Sequence, residues 1–236
     1  LEVHKEYTAF YFKGLNQSRD QLIKLLGEMM VSPSFDVNEL SREKSYFTSE
    51  INRRKADPPS RAFDELNKLI FGDNPLAFSG IGSYQAVEKF KLDDLSSWGT
   101  KFYNTANSLL VVCGQTEKVI EKLEEAFGGL PAGSPAQFTP VDFEKLEGKT
   151  KLIEQQSQRN YFALGFPAFH RRSQKRFAQI LLDVLLGKMR SNTRLVNITA
   201  EDRLAFYIRS GINMFTEIGL FWIQMSSQIE NSRKAY

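Results

Sequence analysis

The sequence predicts an α+β fold of two similar halves, each a mixed or antiparallel sheet packed by helices, with the second half incomplete. Three observations predict it. Aromatic and β-branched segments alternate with amphipathic helical stretches along the chain. A glycine- and proline-crowded stretch (Gly128, Gly129, Pro131, Gly133, Pro135 and later Pro140) separates two such series. The segments TAFYFKG near the start and LAFYIRSG near the end look alike, a hint of internal duplication. The expected division is a first domain over residues 1–130, a linker over 131–150 and the start of a second domain over 151–236.

The elements follow in order. Tyr7 to Phe12 reads as a strand, and Gly14 to Ser18 turns the chain. Gln21 to Val31 reads as a helix stopped by Pro33. Asp36, with Glu39 three residues on, has the spacing of a capping box and opens a helix from Val37 to about Lys55. Asp57, Pro58 and Pro59 break that helix and start the next, whose apolar face carries Ala62, Phe63, Leu66, Leu69 and Ile70 and which Gly72 ends. Residues 73–82 read as a loop, with short helices from Ser83 and from Asp93. Ser108 to Cys113 reads as a buried strand, with Cys113 a small buried hydrophobe. Glu117 to Phe127 reads as an amphipathic helix closed by two glycines. Beyond the linker come a strand (Asn160 to Phe166), a helix (Gln174 to Leu186) and two strands (Leu204 to Ile212, Leu220 to Ser226).

Composition narrows the function. The chain has 236 residues, 42% hydrophobic and 25% charged, with a net charge of +3. Acids and bases are mixed throughout, so neither a nucleic acid nor an anionic membrane is an expected partner. No apolar run approaches a membrane span. One cysteine excludes an internal disulfide; a soluble protein of the cytoplasm or an organelle matrix is favoured, with a disulfide-free exported protein the open alternative. With only His4 and His170, far apart in sequence, a zinc site of three histidines is excluded for this chain alone. A start at Leu1, almost at once in a strand-like segment, suggests residues upstream.

The chemistry concentrates on the helix LSREKSYFTSEINRR. Leu40, Phe47 and Ile51 define its apolar arc. Glu43 and Glu50, about two turns apart, lie on one line at the margin of that arc, between Phe47 and Tyr46, and Glu39 falls near it. Arg54 is placed to neutralise Glu50 at i,i+4. Carboxylates stacked beside apolar surface repel one another and resist desolvation unless a cation or donors face them. Zinc is one such cation; the competing reading is a partly solvated acidic edge paired with Arg53, Arg54 or residues elsewhere.

This helix and its neighbours resemble the pitrilysin/insulinase (inverzincin) family of zinc metallopeptidases, in particular its mitochondrial-processing-peptidase-like branch. The resemblance rests on Glu6-Tyr7-Thr8-Ala9-Phe10-Tyr11, on Glu43 and Glu50-Ile51, on Asp57-Pro58, and on NPLAFSGIGSYQAVEKFKLDDLSSWGTKFYNTANSLLVVCGQ. The strand NYFALGFPAF and the helix ending at Leu186-Gly187 continue it, so the match runs in order along nearly the whole chain.

The resemblance implies a zinc-dependent endopeptidase, or its zinc-bearing subunit. Glu50 matches the third zinc ligand, and Glu43 a second acid near the metal. The histidine ligands and general base would come from an upstream H-x-x-E-H motif; neither His4 nor His170 lies in such a pattern. The family's substrate-anchoring arginine and tyrosine fall on Thr199 and Phe206, neither of which supplies the needed group. Tyr207 substitutes only in a shifted register, and Arg203 fits the family's glycine. The substrate would be a peptide or unfolded protein, added to a strand edge. A related subunit, in a homo- or heterodimer, would supply what is missing. The alternative is a non-catalytic scaffold or substrate-holding subunit of the same fold.

Overall fold

In the computed structural model, residues 1–141, 149–189, 192–201 and 204–235 are described. They form an α+β chain of helices and small antiparallel sheets, in two compact units. One unit joins Leu1–Ser49 to Gly82–Phe138, the other Glu50–Ile81 to Thr139–Tyr236.

The first unit opens with β1 (Glu2–Val3) paired antiparallel to β2 (Thr8–Ala9). The strand expected over Tyr7 to Phe12 thus contracts to two residues. A lone ribbon is marginal, and Tyr11 and Phe12 stand exposed without a further strand among the described residues to cover them. A 3-10 turn (Asn16–Ser18) leads into α1 (Arg19–Val31), and α2 (Val37–Ala56) follows.

Gly27 of α1 meets the Ala126 carbonyl of α6 (Val119–Phe127) so closely that a Cβ there would lie 2.5 Å from that oxygen. Before α6 come α4 (Tyr84–Lys89), capped by Ser83, and α5 (Leu92–Phe102), whose start is bonded by Asp94 to the Lys91 amide. At the end of α5 the buried Asn104 bonds the Lys101 carbonyl and the Ala106 amide, and Thr105 and Asn107 fix the Pro131–Ala136 stretch.

The expected strand Ser108 to Cys113 does not form. The run takes no regular secondary structure, Leu109 is 89% exposed, and Cys113 is exposed and free rather than buried. An apolar run becomes a central strand only with neighbours on both sides, and this unit's described ladder is the β1–β2 ribbon alone.

In the second unit the prolines start α3 (Pro58–Phe71) as expected. The Asp57 carboxylate accepts the Ser60 amide at 3.1 Å, and Gly72 ends the helix at φ 55°. A 3-10 turn (Pro75–Ala77) follows. The sheet orders β3 (Asn160–Ala168), β5 (Gly219–Ser227) and β4 (Tyr207–Met214), all antiparallel with β5 central.

Alternation puts Gly165, Trp222 and Gln224 on one face. There α3 packs, with Ile70 and Leu66 over Gly165, Phe63 edge-on to Trp222 at 5.3 Å, and Gln224 donating to the Pro59 carbonyl. Ser210, on the opposite face, meets α7 (Arg176–Asp183), which continues as a π-helical turn over Val184–Lys188. Then come α8 (Arg194–Glu201) and, at the end, α9 (Ser232–Ala235). The core gathers Phe71, Leu76, Ala77, Phe215, Ile218 and Leu220. The strand expected over Leu204 to Ile212 begins at Tyr207, because the Leu204 amide still bonds the Thr199 carbonyl at the end of α8.

Candidate metal-ligand helix

The helix α2 is built as its sequence requires. The Asp36 carboxylate accepts the amides of Asn38 (2.8 Å) and Glu39 (3.1 Å), satisfying two of the free donors of the first turn. Ile51 is its buried anchor, whereas Tyr46 and Phe47, an edge-to-face pair at 5.6 Å, remain exposed. The expected apolar arc is therefore sealed only at its C-terminal end.

Along the acidic edge, Glu39 and Glu43 are exposed, and Glu43 bonds to no described residue. Glu50 is half-buried, with 25% of its side chain exposed. The Arg53 guanidinium grips it through both oxygens, Nε to Oε1 at 3.1 Å and Nη2 to Oε2 at 2.7 Å. These bonds hold the Glu50 carboxyl below the usual carboxylate range, against a small opposing effect of burial.

The expected pairing of Arg54 with Glu50 is not made. Arg54 turns to Asp64 of α3 in a two-pronged ion pair at 2.7 and 2.8 Å, which raises its own pKa. A helix-internal rule cannot see a carboxylate offered by the next helix.

A catalytic zinc takes three protein ligands. Among the described residues no three histidine, cysteine, aspartate or glutamate side chains come together. His4 stacks on Tyr7 and reaches Glu2, and His170 accepts the Arg172 amide. The donor set of this chain alone therefore does not fit a zinc site; Glu50 offers one ionised, oriented carboxylate.

The second-half candidates are placed separately. Thr199 bonds back to the Leu195 and Val196 carbonyls of its own helix. Phe206 is exposed, with the Arg159 guanidinium 3.6 Å over its ring and its amide on the Ser226 carbonyl. Tyr207 begins β4 opposite Ser226, and burial pushes its phenol up. Arg203 lies outside the described residues.

Two clusters were missed. Arg209 rests on the Gln224 amide oxygen at 2.7 Å, between the Tyr207 and Trp222 rings; its i+2 spacing from Tyr207 was the available signal. Asp183, buried, accepts the Ser210 hydroxyl at 2.6 Å, and a lone acid in an apolar helix could have pointed to it. Among the described residues no helix is long and apolar enough to cross a membrane.

Two family profiles match. The one described as Insulinase (Peptidase family M16) covers residues 2–82, and the one described as Peptidase M16 inactive domain covers residues 89–236. Among curated relatives, an uncharacterized zinc protease YmxG of Bacillus subtilis is 24% identical, over 93% of this chain and 53% of that protein. A non-peptidase homolog YmxG of Helicobacter pylori is 26% identical, over 89% and 50%. The beta subunit of the mitochondrial-processing peptidase of Caenorhabditis elegans is 22% identical, over 61% and 32%. Among solved structures, a peptidase M16 inactive domain from Pseudomonas fluorescens superposes with a TM-score of 0.78 at 22% identity, over 91% of this chain and 53% of that one. A Helicobacter pylori protease gives 0.78 at 17% identity, over 93% and 55%. The chain spans about half the length of the curated relatives it matches.

Proposed function

Because the chain belongs to the M16 (insulinase) family of peptidases, we propose that it is part of a zinc metalloendopeptidase to which it contributes Glu50 as the acidic metal ligand. The observation that carries this reading is the state of Glu50. Its carboxyl is held in the charged form and oriented by the Arg53 guanidinium, whose own side chain is 73% exposed. The less exposed cation, Arg54, is already taken by Asp64. Three relatives named zinc proteases support the metal.

In this reading residues 1–130 are a first peptidase-like domain, 131–150 a linker, and 151–236 the start of a second domain. Glu43, about two turns earlier on the same helix, is a supporting acid near the metal rather than a ligand. Histidine ligands come from outside these residues, and Phe206 and Tyr207 lie near the substrate strand. Peptides are the substrate class, and a related subunit is the partner; that one relative is named a beta subunit and one solved match a complex III supports work within an assembly.

A second reading, a non-catalytic scaffold or substrate-holding subunit, is favoured by one observation. Thr199 spends its hydroxyl on its own helix and Phe206 has none, so no arginine–tyrosine pair is present at those positions. The relative named a non-peptidase homolog fits this reading.

Zinc per chain, measured by plasma mass spectrometry on the full natural polypeptide, and hydrolysis of a quenched fluorescent peptide separate the two. The peptidase reading expects about one zinc per chain, and Glu50→Gln to weaken zinc binding roughly tenfold or more and abolish hydrolysis. Unchanged zinc and hydrolysis in Glu50→Gln would remove Glu50 from the site. A wild-type protein with neither zinc nor hydrolysis would leave the scaffold reading.

A further inference from the structure

The corner between α2 and α3 leaves a backbone group without a local partner. Ala56 ends α2, and a carbonyl in that place finds its donor three or four residues on. Here residue 59 is a proline with no N–H, and the Ser60 amide is already taken by the Asp57 carboxylate at 3.1 Å. The same arrangement that starts α3 so sharply therefore strips the end of α2 of its nearby donors.

The donor comes from 99 residues downstream. The Gln155 side-chain amide gives its Nε2 to the Ala56 carbonyl at 3.2 Å, and its Oε1 accepts from Arg61 Nη1 of α3 at 3.1 Å. Neither partner can reverse its role, since a guanidinium only donates and a carbonyl only accepts, so the amide has one orientation. Four residues earlier, Lys151 bonds Glu65 of α3. Residues 151–157 thus run antiparallel to α3 as a strap. Along it Ile153, Gln155 and Ser157 are partly buried, and the residues between them are exposed.

The turn that Gln155 closes is the one on which Glu50 depends. Residues 53–56 are the last turn of α2. From that turn Arg53 holds the Glu50 carboxylate through both oxygens, and Arg54 ties α2 to Asp64 of α3. A helix frays inward from its end, so loss of the Ala56 bond loosens both cations together.

We propose that Gln155 is a positioning residue for Glu50: by capping α2 from the strap, it locks the turn that aims that carboxylate. The inference rests on the reading of Glu50 as the functional acid. It makes the segment that follows the linker a latch. With the strap docked on α3 the Glu50 turn is closed; with the strap lifted the turn unwinds, so whatever moves the linker acts on Glu50.

Hydrogen exchange read by mass spectrometry on the whole chain, without metal, tests the cap. Gln155→Glu keeps an acceptor for Arg61 but has no donor for the Ala56 carbonyl. Gln155→Lys keeps a donor for the carbonyl and loses the acceptor. Gln155→Glu is expected to speed exchange of the amides of residues 53–57 about fivefold or more, while Gln155→Lys stays within about twofold of the parent. Gln155→Met, uncharged and without a donor, should behave as Gln155→Glu, and it carries the test if that variant does not fold. A strap that merely grips α3 gives the reverse order, with Gln155→Lys loosened and Gln155→Glu protected. That order, equal exchange in Gln155→Glu and Gln155→Lys, or faster exchange spread evenly over β3, β4 and β5 overturns the proposal. In the full natural polypeptide, zinc should bind more weakly to Gln155→Glu than to Gln155→Lys. An unlocked turn with unaltered zinc affinity, in a protein where Glu50→Gln does lose zinc, also overturns it. Failure of the metal reading shows differently, as zinc unchanged in Glu50→Gln, and the metal-free exchange order does not depend on it.

Discussion

Glu65 of α3 shows what a single side chain contributes that sequence spacing only half reveals. Lys68, three residues on, bonds it at 2.6 Å, a pair that helical periodicity predicts. Lys151, far away in sequence, bonds its other oxygen, which no local rule predicts. Burial pushes the Glu65 carboxyl up, but the two lysines outweigh it and hold the group below the ordinary carboxylate range. A carboxyl depressed on folding stabilises the native state above its unfolded value, about pH 4.3, and that contribution is lost as pH falls through the folded value. Glu65→Gln should therefore lower stability at pH 7 and flatten its decline below about pH 5, measured by urea unfolding across pH. The same limit governs Arg54. Its place on α2 was legible, but its partner Asp64 belongs to the next helix, so the sequence assigned it to Glu50 instead.

The elements that end in chemical signals were the most legible. Asp36, Asp57 with its two prolines, Ser83 and Gly72 each mark a boundary by a hydrogen bond or a backbone angle that only such residues provide, and the helices begin or end there. Strands carry no such marks: β3 and β5 fall within two residues of their expected bounds, β4 is displaced by two to three, the first strand contracts to two residues and the run Ser108 to Cys113 forms none. Packing between elements was illegible. Gly27 reads as a flaw inside a helix, yet it is the residue of α1 that lets α6 approach. Gly27→Ala improves helix propensity by about 1 kcal/mol, but its methyl meets a backbone carbonyl that cannot rotate away. Net destabilisation of about 1–3 kcal/mol is expected from urea or thermal unfolding. A gain in stability would show that the two helices separate freely.

At the scale of the whole molecule, composition read as ordinary and globular, the alternation of strand-like and helical segments pointed to an α+β fold, and the ordered resemblance identified the family. What composition could not tell was which apolar segments would find neighbours. Ser108 to Cys113 has the residues of an interior strand, but a run of valine and leucine states only a preference for burial, not the identity of what buries it. The candidate site shares this limit: Glu50 was legible as an acid on an apolar margin, while among the described residues no histidine, cysteine or carboxylate side chains gather with it into a metal-holding group. The accessible thiol gives a direct check. Cys113 should react with Ellman's reagent in the native protein, one thiol per chain, without denaturant. Protection until unfolding would show that the segment is covered.

The second unit draws α3 and the strands it covers from opposite sides of a long excursion, so its assembly has an order in time. About ninety residues separate Phe71 from Asn160. At a synthesis rate of about 5–20 residues per second, α3 waits roughly 5–20 seconds for the first strand of its sheet to begin, and longer for the central one. Over that interval Phe63, Leu66 and Ile70 are available to any apolar-binding chaperone near the ribosome, and the newborn helix is a substrate before it is a scaffold.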